Sequence, residues 1–232
     1  MTEASRRTAV RRHPERGVYE RKAIEAILDD ALVCHVGFVV DGKPFVIPMI
    51  HARVGDLLYL HGSPASRMLR ELGSGVDTCV TATLLDGVVL ARSVYNHSVN
   101  YRSAVVLGRA LVIEEFEEKR AALEAIVEHV VPGRSRDARA PNEKELAGTI
   151  VLALVIDEAS AKVRNGPPKD FDSDVALPIW AGVIPLRLTA EGPEVEQRVP
   201  ADVAVPAYAN DYRPSQRRRI DDEFRPRGAT DR

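Results

Sequence analysis

The sequence predicts a mainly β domain with helices, in which six or seven antiparallel strands form a barrel. Three observations predict it. Strand-like runs follow one another with almost no connection: Leu32–Val40, the Asp41-Gly42 turn, Phe45–Arg53, the Gly55-Asp56 turn and Leu57–His61. Connections this short demand antiparallel neighbours, because a parallel pair needs a crossover of about a dozen residues or more. Similar runs return after each interruption, at Val76–Leu85, Val88–Tyr95, Tyr101–Ile113 and Thr149–Val163. Helical periodicity is confined to short stretches between them, which makes helices decorations on a barrel.

Taken in order, residues 1–17 read as a flexible lead-in. Tyr19–Asp30 reads as a helix with Ile24, Ile27 and Leu28 on one face. The three-strand meander ends at His61. The segment from Ser63 to Gly73 then reads as a short helix, with Ser63 as N-cap, Pro64 in the first position and Gly73 at the exit. Asp86-Gly87 reads as a further turn between strands, and a loop at Asn96–Asn100 leads into the Tyr101 strand. Phe116–Val131 is an amphipathic helix with Leu123, Ile126, Val127 and Val130 on one side. From Arg164 the texture changes to Asn-Gly-Pro-Pro, an acidic stretch and an apolar run around Trp180. The barrel domain is expected over 18–190 and an extension over 191–232, disordered after about 207 for want of apolar residues.

A chain of 232 residues supports one sizeable core, and 45% hydrophobic with 28% charged residues is ordinary for a globular domain. The net charge of −2 provides no general attraction to nucleic acid or anionic lipid. The arginines near both ends (Arg6, Arg7, Arg11, Arg12; Arg213, Arg217, Arg218, Arg219) lack interleaved aromatics and read as solvated tails. Cys34 and Cys79 lie in apolar runs and read as reduced, buried thiols. No apolar run approaches the length of a membrane span, and no signal-peptide core follows the basic start, so a cytoplasmic location is expected.

Neither G-x-G-x-x-G nor a P-loop is present, and no Cys or His spacing matches a zinc module. The best anion site is the helix start at Ser63, where unpaired amides, the Ser66 hydroxyl and the Arg67 guanidinium can converge on a phosphate. Gly62, at the end of the preceding strand, lets a ligand approach the backbone.

Several stretches carry a resemblance in their order and spacing: Pro44-Phe45-Val46-Ile47-Pro48-Met49; Leu58-Tyr59-Leu60-His61-Gly62-Ser63 with Arg67 and Leu69; Tyr101-Arg102-Ser103 through Ala110; Lys162-Val163-Arg164-Asn165-Gly166-Pro167; and Trp180-Ala181-Gly182-Val183-Ile184-Pro185. In these the chain resembles the split-barrel flavoproteins related to pyridoxamine 5'-phosphate oxidase, in the flavin-nucleotide-binding branch that includes nitroimidazole-resistance reductases. The resemblance spans residues 17–188. It implies a split barrel that binds FMN as a homodimer, with the flavin at the subunit interface. It places Val46, Ile47, Pro48 and Met49 beside the flavin ring. His61, Gly62, Ser63, Ser66 and Arg67 would hold the phosphate, and Trp180 and Arg187 would reach the partner subunit's flavin. The chain lacks the oxidase's Arg-x-Val-Leu-Leu-Lys strand and its Ser-Arg-Lys triplet, so pyridoxamine phosphate is not the implied substrate.

Among titratable groups, His61 is either a proton donor to the flavin or a structural histidine bonded to backbone. His51 reads as structural, and His97 as a surface histidine or a substrate-side group. His129 falls on the polar side of its helix. Lys162 and Arg164 share a strand face and suit either the cofactor phosphate or the acidic stretch Asp170–Asp174. The implied activity is an FMN-dependent oxidoreductase reducing a small nitro- or quinone-like acceptor, with NADH or NADPH as donor. A carrier or sensor without turnover stays open, as does a haem- or deazaflavin-binding barrel. Haem would require His51, His61 or His97 as iron ligand.

Overall fold

The computed structural model describes residues 6–214. In chain order the elements are β1 (Gly17–Val18), α1 (Arg21–Asp30), β2 (Val33–Val40), β3 (Lys43–Ile50), β4 (Ala52–Val54), β5 (Leu57–Gly62), α2 (Arg67–Gly73), β6 (Asp77–Leu90), β7 (Ser98–Arg109), β8 (Leu111–Val112), α3 (Phe116–Val130), α4 (Arg134–Asp137), α5 (Glu143–Ala147), β9 (Ile150–Val155), β10 (Glu158–Arg164), β11 (Gly182–Pro185) and α6 (Ala207–Asn210). The strands form two sheets rather than one closed barrel. A seven-stranded sheet runs β1-β10-β7-β6-β2-β3, with β11 also on β6; a four-stranded sheet runs β4-β5-β9-β8. Every pairing is antiparallel. This is the split barrel.

Alternation drives the packing. Val36 and Phe38 of β2, Val80 and Ala82 of β6, Ala104 and Val106 of β7, Leu58 and Leu60 of β5, and Leu152 and Leu154 of β9 all turn inward into one core. Ile24, Ile27 and Leu28 of α1 close one opening, and Leu69 and Leu72 of α2 pack into the same cluster. The opposite face of the smaller sheet carries a second cluster, in which Ala52, Tyr59 and Val151 meet Ala122, Ala125 and Ile126 of α3.

The hairpin at Asp41-Gly42 forms as expected, with both residues at positive φ (49° and 73°), the geometry whose twist matches that of paired strands. The same dipeptide at Asp86-Gly87 does not turn. β6 runs straight through it as a 14-residue strand, and the register against β7 slips between Leu85 and Gly87. Asp86 is the extra residue of this bulge, and Arg102 on β7 holds its carboxylate through Nε (3.0 Å) and Nη2 (3.0 Å). Gly87 is required by β11: a Cβ there would lie 2.9 Å from Val183 Cγ1 and 3.1 Å from the Ile184 carbonyl oxygen.

The run Phe45–Arg53 breaks at His51 into β3 and β4, which belong to different sheets. Thr149–Val163 likewise divides into β9 and β10. After β11 the chain crosses back to α3, where Tyr212 Oη donates to the Val130 carbonyl (2.8 Å) and Arg134 donates to Tyr208 Oη (2.9 Å). At the other end Thr8 is buried, and Tyr19 Oη accepts from the Val10 amide (2.9 Å). The basic residues from Arg217 onward lie outside the described residues.

Candidate functional site

The residues singled out by sequence sit at two ends of the larger sheet. One end is the corner between β3 and α2. β3 is the last strand of its sheet, with β2 as its sheet neighbour among the described residues. A two-residue hairpin closed by Val40 and Lys43 makes Phe38/Phe45, Val36/Ile47 and Cys34/Met49 the hydrogen-bonded pairs. Pro44, Val46, Pro48 and Ile50 therefore turn their backbone groups to the open edge. Two of these are prolines, tolerated there because an outward N–H is not needed by the ladder. Their absence of N–H isolates the Val46 amide, flanked by carbonyls, on a side that also exposes the Val46 side chain.

Across the corner, the helix start differs from the expectation. Ser63 is not the N-cap. It folds a preceding turn, its carbonyl accepting from Ser66 N (2.9 Å) and its Oγ from Ala65 N (3.2 Å). Ser66 caps α2 through Oγ, accepting from Leu69 N (3.4 Å). Pro64 is thus part of the turn, and Arg67 takes the first helical position. The amides of Arg67 and Met68 have no carbonyl one turn back within the helix. The Arg67 guanidinium carbon lies 4.3 Å from the centroid of the Phe45 ring, which in turn stacks on Phe38 at 5.5 Å. Arg67 has no carboxylate partner among the described residues. An exposed cation is thereby laid on an aromatic face beside an open strand edge.

Gly62 and His61 complete the corner from β5. A Cβ on Gly62 would lie 2.8 Å from Leu69 Cδ1, so glycine is what lets α2 dock on the strand end. His61 alternates with it and shares a face with Tyr59, on the side of α3. Its Nδ1 is buried and lacks a hydrogen-bond partner among the described residues. Burial holds the His61 pKa below the ordinary imidazole value.

Trp180, Arg187 and Lys162 are not at this corner. Gly37 pairs with Cys79 on β6, whereas Gly182 pairs with Leu90, eleven residues further along the same strand. At about 3.3 Å per residue the two places are roughly 35 Å apart. Lys162 lies opposite Gly17 and Ser103, toward the other edge of the sheet. Trp180 instead folds back over Gly182, whose missing Cβ leaves room for the indole; an added one would be 2.9 Å from its ring.

The distal end gathers other residues as well. Val89 pairs with Ser98 of β7 on one side and with Val183 of β11 on the other, so the start of β7 and the start of β11 flank the end of β6. Between β6 and β7 a 3-10 turn, Val94–Asn96, presents Tyr95, which stacks on Phe171 with centroids 6.2 Å apart and planes at 19°. Arg92 anchors the Phe171 loop: its amide and Nη1 donate to Asp170 (2.8 and 2.7 Å). His97 caps the turn, with Nδ1 2.9 Å from the Ser93 carbonyl oxygen.

Other candidates have structural work. His51 and His129 are both buried, their rings 4.9 Å apart, and through Nε2 they donate to the carbonyls of Leu28 and Ala31 at the end of α1. His129 is therefore a core residue, not one on a polar face. A haem site combining His51, His61 and His97 does not exist, because His97 lies at the far end of β6 and His51 is sealed in the core. Arg53 and Asp29 form a buried two-point ion pair (2.8 and 2.9 Å). Arg164 is buried against Asn100 and the carbonyls of Gly166 and Pro167, and Asp170 is taken by Arg92, so neither Lys162 nor Arg164 pairs with the acidic stretch. Burial pushes the Cys34 thiol up to about 12 and raises that of Cys79, which suits core thiols rather than nucleophiles. No group of three or more His, Cys, Asp or Glu is placed to hold a metal among the described residues, and no helix there is long and apolar enough to cross a membrane.

A family model described as pyridoxamine 5'-phosphate oxidase matches residues 20–163. No curated protein matches the sequence. Among solved structures, the flavocytochrome Anf3 from Azotobacter vinelandii is 42% identical over 90% of this chain and 97% of that one, with a TM-score of 0.85. The FAD and haem binding protein from Mycobacterium smegmatis is 38% identical over 85% of this chain and 97% of its own, with a TM-score of 0.82. A protein from Bacteroides thetaiotaomicron, described as a 5-nitroimidazole antibiotic resistance protein, is 29% identical over 63% of this chain and 86% of its own, with a TM-score of 0.53.

Proposed function

The chain belongs to the pyridoxamine 5'-phosphate oxidase family, and from that premise we propose that it is a flavoprotein that also carries haem and moves electrons to a small acceptor. The observation that carries the flavin reading is the Arg67 guanidinium resting on Phe45 beside the open edge of β3. The haem reading is supported by the two relatives that cover most of both chains, one a flavocytochrome and the other an FAD and haem binding protein.

The residues at the corner suit a flavin nucleotide. Arg67 would grip a phosphate with paired charge-assisted bonds, and the amides at the start of α2 with the Ser63 and Ser66 turn would take its remaining oxygens. The pyrimidine edge of an isoalloxazine alternates acceptors with a donor. The isolated Val46 N–H and one carbonyl beside it would meet one of those acceptors and the donor, a two-point match. Ile47, Pro48 and Met49 continue that edge as the wall along the ring. His61, with Nδ1 buried on the α3 side of β5, would support the corner from behind rather than touch the cofactor. FAD is the expected nucleotide, as in the mycobacterial relative, with FMN the smaller alternative that the same phosphate contact accommodates.

Bound flavin supplies the electron and hydride chemistry. The protein's part would be to orient the ring and to favour negative charge on it through the Val46 amide. Trp180, at about 35 Å along β6, and Arg187, next to Leu186 on Asp86 and about 23 Å along, do not reach this corner within one chain. A homodimer would bring the partner subunit's Trp180 to it. The outward face of β2 and β3, with exposed Val33, Val39, Val46 and Ile50, is the apolar surface such a dimer would cover.

An absorbance scan of the purified protein tests the reading. Flavin bands together with a Soret band are expected, and release of the flavin by acid identifies FAD or FMN. Anaerobic reduction by NADH or NADPH, followed by reoxidation with a nitroaromatic or a quinone, shows turnover. A protein that is reduced but never reoxidised by such acceptors is a carrier, and a colourless protein that takes up neither cofactor contradicts the proposal.

A further inference from the structure

We infer that His97 is the axial ligand of the haem, in a surface site walled by Tyr95, Phe171 and Trp180; this rests on the reading that the chain binds haem. The ring is prepared for the task. Its Nδ1 sits 2.9 Å from the Ser93 carbonyl oxygen, and a carbonyl only accepts, so Nδ1 carries the proton and the lone pair is on Nε2. Iron-ligating histidines are held in this way, one nitrogen donating to a backbone carbonyl or carboxylate while the other faces the metal. The His97 ring is exposed, and Nε2 has no partner among the described residues.

The other histidines offer less. His51 and His129 use Nε2 on buried carbonyls of α1. His61 is mostly buried, on the α3 side of β5. His13 has Nδ1 against Glu15 (3.1 Å) in a polar stretch without aromatic neighbours. His35 is exposed on the apolar face of β2 and has no group that fixes its tautomer among the described residues.

The surroundings of His97 match a flat apolar ring. Four aromatic side chains are exposed among the described residues, and three of them are at this end of the sheet: Tyr95 at 83%, Trp180 at 66% and Phe171 at 55%. Tyr95 and Phe171 already lie face to face. Trp180 lies two residues before β11, the strand on the other side of β6, and the backbones of β7 and β11 are about 10 Å apart there, two strand spacings. The Phe171 loop is not left to drift, because Asp170 is held at two points by Arg92. Exposed aromatics of this size on a pinned turn and a pinned loop, beside an oriented imidazole, are a cofactor site rather than an ordinary surface.

The test is titration of purified protein with hemin, read by the Soret band, electron paramagnetic resonance and bound haem per chain, with flavin content measured in parallel. The wild type takes one haem per chain. His97→Ala retains at least tenfold less haem or shows a displaced Soret band, added imidazole restores the wild-type spectrum, and flavin content does not change. Phe171→Ala weakens hemin binding several-fold while the wild-type Soret position persists, because the ligand remains. If His97→Ala matches the wild type in spectrum and haem content, or if His35→Ala alone alters them, the ligand is assigned wrongly although the haem reading stands. A wild type that binds no hemin overturns both.

Discussion

Replacing Arg67 with alanine separates binding from folding, and the structure allows both effects to be sized. The guanidinium is exposed and lies 4.3 Å above Phe45, a contact contributing about 0.5–1 kcal/mol at such a site. Against this, a positive charge in the first turn of a helix opposes the helix dipole by about 0.3–1 kcal/mol. The two nearly cancel, so the folding stability of Arg67→Ala stays within about 0.5 kcal/mol of wild type. Loss of a charge-assisted bond to a phosphate costs about 1.5–3 kcal/mol, or about one to two decades in Kd. Flavin titration by fluorescence quenching, alongside a urea melt, measures both. Arg67→Lys, which keeps the charge but not the planar fork, should fall between wild type and alanine. Unchanged flavin affinity in Arg67→Ala would place the phosphate elsewhere. A collapse in stability would show that Arg67 is a packing residue.

Removing Arg53 leaves the buried carboxylate of Asp29 without its two-point partner, so Arg53→Met should destabilise by about 3–5 kcal/mol in urea, and Asp29→Leu with Arg53→Met should recover most of that. Gly87→Ala places a methyl against Val183 and the Ile184 carbonyl; β11 should shift at a cost of about 1–3 kcal/mol, visible as a change in Trp180 fluorescence with little effect on Arg67. His61 should make stability fall in acid. Its pKa is depressed by burial in the folded state, so the unfolded chain binds more protons below its ordinary pKa of about 6.5. The neutral ring's contribution is complete above that value and is lost as pH drops toward the folded pKa. His61→Gln should flatten the change in urea midpoint between pH 7.5 and 5.5, and an unaltered slope would remove His61 as its source.

The parts of this molecule that local rules govern were legible in the sequence. Asp41-Gly42 between alternating strands has one good solution, and it forms. The α1 helix follows from its apolar stripe, whereas α3 forms where expected but buries Ala122, Ala125, Ile126 and His129 and leaves Val127 exposed; the corner of Val46, Gly62, Ser63, Ser66 and Arg67 was assembled from spacing and resemblance. What escaped depends on distant partners. Asp86-Gly87 has the same letters as the hairpin turn, yet Arg102 and β11 hold it extended as a bulge. The α2 start moved to Arg67 because Ser63 spends its carbonyl and hydroxyl on a turn of its own. His129 looked polar because nothing local reveals that the last carbonyls of α1 lie against it. The pairing of His97 with Ser93, and the approach of Phe171 to Tyr95, needed the fold to bring the Asp170 loop back to Arg92. Only the Ser93-to-His97 spacing was a signal available in advance.

The central claim is that the Arg67 corner recognises a phosphate attached to an isoalloxazine, and comparing riboflavin with its nucleotides tests it most directly. The apoprotein should bind FAD or FMN at least tenfold more tightly than riboflavin, with the advantage shrinking in Arg67→Ala. Equal affinity for riboflavin and its phosphorylated forms would contradict the account.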